Sequence, residues 1–505
     1  MAALNFSKGR WSILIGCLLL VLWSANPFKL YFANDDFFHV PESGHHIIGQ
    51  TYLLRPVSEL TLWLDYSTWQ KNATGYHITN LLLHLLNTIL IYFFIIAILN
   101  RLSSLSTSAI ATIAWLSMLL FLINPSSIEA ILWILGRGAM LATCFTLLSL
   151  ICFLQGGRVI WKIILSLSFF TMSLLCYESS FITPLLITIL AYAYSRKWKV
   201  KVSYFTVTLF WAILIIYLAI RIYITGVVLG QYEAGYILEG NWYKLLYNFN
   251  ALIARSLLPP LASGTGFFLG YLLMFITGVI TLMILRKTNR GAVRLCFVVL
   301  ILFLVTLVPV ISVGIDTHDS EGGRFLYLPS VFFLLLLVKL IYLLTQGRQY
   351  FLWMLSSLMV LYFAFSFIIL ARDYQVSAII AKSTIQGLQD KQKYAKVFVI
   401  DLPSQYKGAT IFRTGFDNAI RWMCPGLQYQ SLEVLTQKEI SKSYDSVLVK
   451  ESSFENWLHE HPEWNTNKIT GKGTLNSDQS LHAVFEQPKN LLLIWTDSSF
   501  TKVRN

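Results

Sequence analysis

The sequence predicts an α-helical polytopic membrane protein of about eleven transmembrane helices, with a small C-terminal α/β domain outside the membrane. Three observations carry this expectation. Of the 505 residues, 56% are hydrophobic and only 13% charged, against about 25% charged in a soluble globular chain. Between residues 11 and 371 apolar runs recur that are long enough to cross a hydrocarbon core of about 30 Å. The basic residues also sort by side of the membrane.

The runs fall at about 11–30, 76–99, 106–123, 139–154, 159–177, 180–195, 203–224, 266–285, 295–314, 325–345 and 350–371. Lys8 and Arg10 precede the first run and no convincing cleavage site follows it, so it is expected to be a retained span with the N-terminus in the cytoplasm. The cytoplasmic segments then hold Lys8, Arg10, Arg101, Arg158, Lys162, Arg196, Lys197, Lys199, Lys201, Arg286, Lys287, Arg290, Arg294 and Arg348, and not one acid. All 26 Asp and Glu residues fall on the other side. The net charge of +13 is therefore a topological signal, and nucleic acid is not an expected partner. In a bacterium this topology means the inner membrane, with the tail in the periplasm. Residues 124–138 and 241–262 could be re-entrant or interfacial helices.

Two domains are expected: a transmembrane catalytic domain over 1–373, with a first external loop over 31–75, and a soluble extracytoplasmic domain over 374–505. In the tail, 396–401 and 490–495 read as strands and 412–423 as an amphipathic helix. No repeat of 30–45 residues is visible. Six cysteines without a Cys-x-x-Cys spacing support neither a disulfide framework nor a zinc site.

The first loop opens with Asn34-Asp35-Asp36-Phe37-Phe38-His39. Adjacent carboxylates among aromatic neighbours disfavour double ionisation, which suits one of them to take a proton. They could equally hold a divalent cation, Mg or Mn, since carboxylate oxygens are its natural ligands; the plainer alternative is a solvated acidic turn. No other cofactor is indicated. Farther along lie Arg55, Asp65 and His77, with His77, Asn80 and His84 on one helical face, where helix–helix hydrogen bonding competes with a functional role. Glu129, Arg137, Glu178, Arg221, Arg255, Glu321 and Arg324 sit at external span ends. Singly each reads as an interfacial anchor. Together they place on one surface the arginines that grip phosphate and the carboxylates that activate a hydroxyl.

The order of these blocks is that of a known family. The acidic pair, Arg55-Pro56-Val57, Asp65-Tyr66, Gly75-Tyr76-His77-x-x-Asn80-Leu-Leu-Leu-His84, Asn124-Pro125 with Glu129, Trp133 and Gly136-Arg137, then Glu178, then Gly323-Arg324-Phe325-Leu326-Tyr327-Leu328-Pro329-Ser330 resemble the multi-spanning GT-C glycosyltransferases. Most similar are the transmembrane O-mannosyltransferases that carry tetratricopeptide repeats, and their bacterial relatives. The resemblance covers residues 30–335 or so and implies a GT-C-like fold, a polyprenyl-phosphate sugar donor, an acceptor on the non-cytoplasmic side and transfer with inversion. By motif match Asp35 and Asp36 would be the catalytic pair, and Arg324 and Arg137, joined by Arg255, would contact the donor phosphate. His39, Arg55, His77, Glu129, Glu178 and Glu321 are further candidates for the site. The chain departs from the family in lacking a tetratricopeptide array, so the sugar and the acceptor, whether protein, lipid or glycan, stay open. A flippase for lipid-linked sugars and a surface-polysaccharide ligase or polymerase are the alternatives. A transporter would show repeated halves and broken helices, and a ligase would place its functional residues in a large late loop.

Overall fold

The computed structural model describes residues 8–45, 54–156, 159–198, 204–226, 242–260, 272, 278, 290–315, 317–346, 348–389, 396–400 and 402–426, together with short strands up to residue 502. Helices dominate: α1 Lys8–Ser24, α2 Asp36–His45, α3 Pro56–Trp69, α4 Ala73–Leu102, α5 Thr107–Leu122, α6 Ile128–Leu132, α7 Arg137–Gly156, α8 Ile160–Leu174, α9 Thr183–Trp198, α10 Tyr204–Thr225, α11 Trp242–Leu257, α12 Arg290–Leu307, α13 Tyr327–Leu344, α14 Gln349–Gln389 and α15 Phe416–Met423.

Ten of the eleven expected runs coincide with helices, while 266–285 lies outside the described residues apart from two isolated positions. By length and composition, seven helices among the described residues can cross a membrane, or eight when the bent pair Thr107–Leu122 and Pro125–Leu132 is taken as one span. The 15-residue α8 and the 16-residue α9 are shorter. An apolar run favours helix in lipid because every backbone polar group is then satisfied within its own segment.

The chain divides into two compact units, one of Met1–Asn26, Ile47–Leu64 and His77–Ala371, the other of Pro27–His46, Asp65–Tyr76 and Arg372–Asn505. An expected boundary at 373/374 put the whole first loop with the spans, yet the contacts group much of that loop with the tail.

In the first unit α7 packs along α8, and α13 lies against α5 and α12. Ser149 and Ser166 lock α7 to α8 by donating Oγ to each other's carbonyl, both at 2.7 Å, the close approach that small residues permit between apolar helices. Asn124 ends α5: its backbone is extended ahead of Pro125, as the residue before a proline prefers, and its side chain accepts the Ser126 N–H at 3.2 Å. The chain bends by 48° there and runs through α6 and a 3-10 turn at Ile134–Gly136, almost wholly buried. A Cβ at Gly136 would stand 2.6 Å from the Ala130 carbonyl oxygen, so this tight return requires glycine.

In the second unit α14 runs well past its apolar stretch and buries Ala378, Ala381, Ile385 and Leu388. One four-stranded sheet has β1 (Lys396–Ile400) between β4 (Leu432–Val434) and β9 (Asn490–Thr496), both parallel to it, with β10 (Ser499–Lys502) antiparallel on β9. A second sheet runs β3-β2-β5-β6, from Ala409–Thr410, Leu402–Tyr406, Gln437–Ile440 and Val447–Val449. A two-stranded ribbon joins β7 (Ile469–Thr470) and β8 (Thr474–Leu475). The expected helix at 412–423 is shorter, since Gly415 at φ +76 starts α15 only at Phe416.

Candidate functional site

In the first unit the segments between spans converge on a cluster of arginines and glutamates. Gly322, at φ +79, turns the chain into a 3-10 turn at Gly323–Leu326 ahead of α13. A Cβ at Gly323 would lie 2.8 Å from the Ser126 carbonyl oxygen, so a glycine lets this turn approach the bend after α5. Arg324 is thereby set on Glu129: its backbone N–H donates to Oε2 at 2.9 Å and its guanidinium to Oε1. The guanidinium lies 4.9 Å over the Trp133 ring and 4.5 Å over that of Phe325, a stacking that a planar cation permits.

Glu178 opens the 3-10 turn between α8 and α9 and is shared by two arginines. Arg55 Nε donates to its Oε2 at 3.0 Å and Nη2 to the same oxygen at 2.5 Å, while Arg221 Nη2 donates to Oε1 at 2.9 Å. Arg221 is fully buried and also donates to the Tyr217 hydroxyl at 3.3 Å. Burial alone would raise the Glu178 pKa, but Arg55 and Arg221 together draw it below the ordinary carboxylate value. The Arg55 guanidinium lies 4.2 Å from the Tyr177 ring, and both Arg55 and Arg324 lie within electrostatic reach of Tyr177.

These neighbouring ion pairs set the guanidiniums of Arg55, Arg221 and Arg324 against the carboxylates of Glu129 and Glu178, with Glu321 also in electrostatic reach of Arg324. The Arg55 and Arg324 side chains retain 25% and 23% of their exposure. Beside them the buried Trp133 Nε1 has no acceptor among the described residues. Such a place suits an incoming anion.

Arg137 and Arg255 differ from Arg324. Arg137 Nε donates to Asn80 Oδ1 at 3.1 Å and Nη1 to the Thr61 carbonyl at 3.2 Å, while Asn80 Nδ2 donates to the Trp133 carbonyl at 2.9 Å. It thus ties the bend after α6 to α3 and α4. Arg255 is buried on the polar face of α11 and donates to the Leu258 carbonyl at 3.3 Å. His77 is buried near the start of α4, and His84 joins the Leu122 carbonyl and the Tyr327 hydroxyl at 3.1 and 2.8 Å, a bridge between helices. Glu321 stands in the turn before Arg324, and its backbone N–H donates to Asp319 Oδ1 at 2.7 Å. Arg221, Tyr177 and Trp133 belong to the cluster although the sequence pattern showed Arg221 only as an anchor; Tyr177 adjoins Glu178, which is the signal that could have found it.

In the second unit the first-loop acids are held by the tail. Asn34, at φ +52, donates its N–H to the Ile411 carbonyl at 2.7 Å. Its Oδ1 accepts the Thr414 N–H and hydroxyl, each at 2.8 Å. The Thr414 hydroxyl also meets Asp35 Oδ1. A Cβ on Gly415 would collide with the Asn34 carbonyl oxygen. Asp36 is buried at the start of α2, with Oδ2 accepting the Ala33 N–H at 3.0 Å, whereas Asp35 and His39 are half-buried. Around the turn Phe37 stacks on Phe412 at 5.6 Å and Phe32 meets Trp422 edge-on at 4.9 Å; burial pushes the Tyr31 phenol up to about 12. Among the described residues no three His, Cys, Asp or Glu side chains gather as a metal ligand set, and the bonds to Ala33 and Thr414 occupy an oxygen of each acid.

No family model matches the chain. A Caenorhabditis elegans protein O-mannosyl-transferase is 29% identical over 119 residues, a stretch that makes up 24% of this chain and 16% of that protein. Among solved structures, ArnT from Cupriavidus metallidurans bound to undecaprenyl phosphate is similar over 90% of this chain and 95% of its own, with TM-score 0.47 and 10% identity. The Archaeoglobus fulgidus oligosaccharyltransferase tethered to an acceptor peptide is similar over 90% of this chain and 68% of its own, with TM-score 0.43 and 11% identity. The resemblance drawn from the motif order is therefore met by sequence similarity to an O-mannosyl-transferase.

Proposed function

We propose that the chain is a GT-C-type glycosyltransferase that moves a sugar from a polyprenyl-phosphate donor to an acceptor on the non-cytoplasmic side of the membrane. The observation that carries this reading is the pair of guanidiniums of Arg55 and Arg324, whose side chains stay 25% and 23% exposed beside the buried Arg221 and two glutamates. A polyprenyl phosphate leaves with a growing negative charge, and preorganised cations in a partly dehydrated setting stabilise that charge where it develops. The sequence similarity to an O-mannosyl-transferase supports the same chemistry.

Asp35 is assigned as the base. Its carboxylate takes the proton of the acceptor hydroxyl as that oxygen attacks the anomeric carbon. The bond from that carbon to the phosphate oxygen breaks in the same step, and its electron pair leaves on the phosphate. One displacement inverts the anomeric centre, and the two-carboxylate covalent route of retaining hydrolases is not required. Asp36, buried and accepting the Ala33 N–H through Oδ2, holds the turn that presents Asp35. No step is routed through a metal.

The test is transfer from a radiolabelled polyprenyl-phosphate sugar by membranes carrying Asp35→Asn or Asp36→Asn. Asp35→Asn abolishes transfer at unchanged membrane abundance, and Asp36→Asn lowers it. Full activity in both variants refutes the assignment, and movement of the intact lipid-linked sugar without transfer would favour a flippase.

A further inference from the structure

The far end of α13 from Arg324 holds a feature that glycosyl transfer does not use. Lys339 lies fifteen residues after Arg324, roughly 22 Å away along the helix at 1.5 Å per residue. The charge sorting places this end toward the cytoplasm. Here a cavity of ≈ 240 Å³ opens between the ends of α4, α9, α12 and α13. Lys339, Arg294, Ser103 and Ser104 supply its polar lining, and the rest of the wall is small or aliphatic.

Lys339 is 2% exposed. Its ammonium stands 5.1 Å from the Tyr342 ring, and among the described residues no carboxylate or hydrogen-bond acceptor pairs with it. An unpaired cation held inside a helical bundle is costly, and the chain cannot neutralise it locally. No Asp or Glu occurs in 66–128, 179–232, 240–315 or 322–372, the stretches that supply every wall. Arg294, on α12, is exposed at the edge of the same cavity.

We propose that this cavity binds a phosphate group, with Lys339 as its buried cation and Arg294 completing the grip. The aliphatic wall fits the phosphate of an anionic lipid headgroup, whose acyl chains continue along the helices; a free phosphate would use the same cations. The site does not depend on the catalytic reading above.

The test uses the purified full-length chain in detergent, titrated separately with phosphatidylglycerol, phosphatidylcholine and inorganic phosphate. Native mass spectrometry reads the bound mass, and the melting temperature is a second readout. Phosphatidylglycerol is retained and raises the melting temperature. Lys339→Met weakens this binding at least about fivefold, the value of one basic residue at an anionic headgroup, while its ligand-free melting temperature stays at or above that of the parent. Arg348→Gln removes an equal charge outside the cavity and leaves binding unchanged. A full response to inorganic phosphate alone, lost in Lys339→Met, assigns the same site to a free phosphate. Unaltered binding in Lys339→Met, equal losses in the two variants, or equal retention of phosphatidylcholine overturns the proposal.

Discussion

Thr414→Val tests whether the tail holds the proposed base. Valine matches threonine in shape, so the surrounding aromatic contacts persist while the hydroxyl is lost. With it go one hydrogen bond to Asn34 Oδ1, at 2.8 Å, and the bond to Asp35 Oδ1. The Thr414 N–H still donates to Asn34 Oδ1 at 2.8 Å, so the turn keeps one anchor and the variant folds. A hydrogen bond to a charged group contributes about 1.5–3 kcal/mol, and half-buried Asp35 places this one at the lower end. At ~1.4 kcal/mol per factor of ten, the share of molecules with Asp35 correctly aimed falls about tenfold. The measurable result is a roughly tenfold lower kcat in sugar transfer from a polyprenyl-phosphate donor, with donor KM unchanged. Thr414→Ser keeps the hydroxyl and restores the rate. Full activity in Thr414→Val, or an equally slow Thr414→Ser, would refute the reasoning.

Three further outcomes are expected. Gly415→Ala forces a side chain into φ +76 and against the Asn34 carbonyl, costing at least ~1–2 kcal/mol, read as a lower melting temperature with early loss of activity on heating. Arg324→Lys keeps the charge but loses the stacking on Trp133 and the forked grip on an anion, so donor KM rises about tenfold for ~1.4 kcal/mol of lost binding. Because the folded pKa of Glu178 is depressed, its stabilisation is present above the ordinary carboxylate range and lost as pH falls through the lowered value. Glu178→Gln, which leaves the buried Arg221 without its counter-charge, costs ~3 kcal/mol at neutral pH, and thermal melts of parent and variant should converge only as pH falls through the lowered Glu178 value.

What was legible in the sequence followed from local pattern. The apolar runs became helices because hydropathy needs no distant partner to be read. The alternating 396–400 and aliphatic 490–495 became paired strands, Val397 against Leu491. Arg55 with Glu178 and Glu129 with Arg324 could be named as site residues, because a charge at a span end is conspicuous. Their pairing could not, since it joins residues 123 and 195 positions apart. Nor could the contact between Asn34 and Thr414, for nothing in a single sequence marks two loop residues as neighbours. Arg221 read as an anchor because its place near the end of α10 is where anchors sit, and only the fold reveals Glu178 beside it. For His84 the plainer reading holds: its ring spends both nitrogens on Leu122 and Tyr327. The helix expected from Phe412 starts later because the left-handed Gly415 and the bonds of Ile411 and Thr414 to Asn34 take the preceding residues out of helical geometry.

The stitch between Asn34 and Thr414 also sets a clock on biosynthesis. Its partners lie 380 residues apart, so the acidic turn cannot reach its final form until almost the whole chain has left the ribosome. At about 5–20 residues per second that delay is roughly 20–80 s, during which spans insert and the turn waits without its anchor. A chain truncated before residue 414 would hold its acidic turn without this anchor, however many of its helices had already entered the membrane.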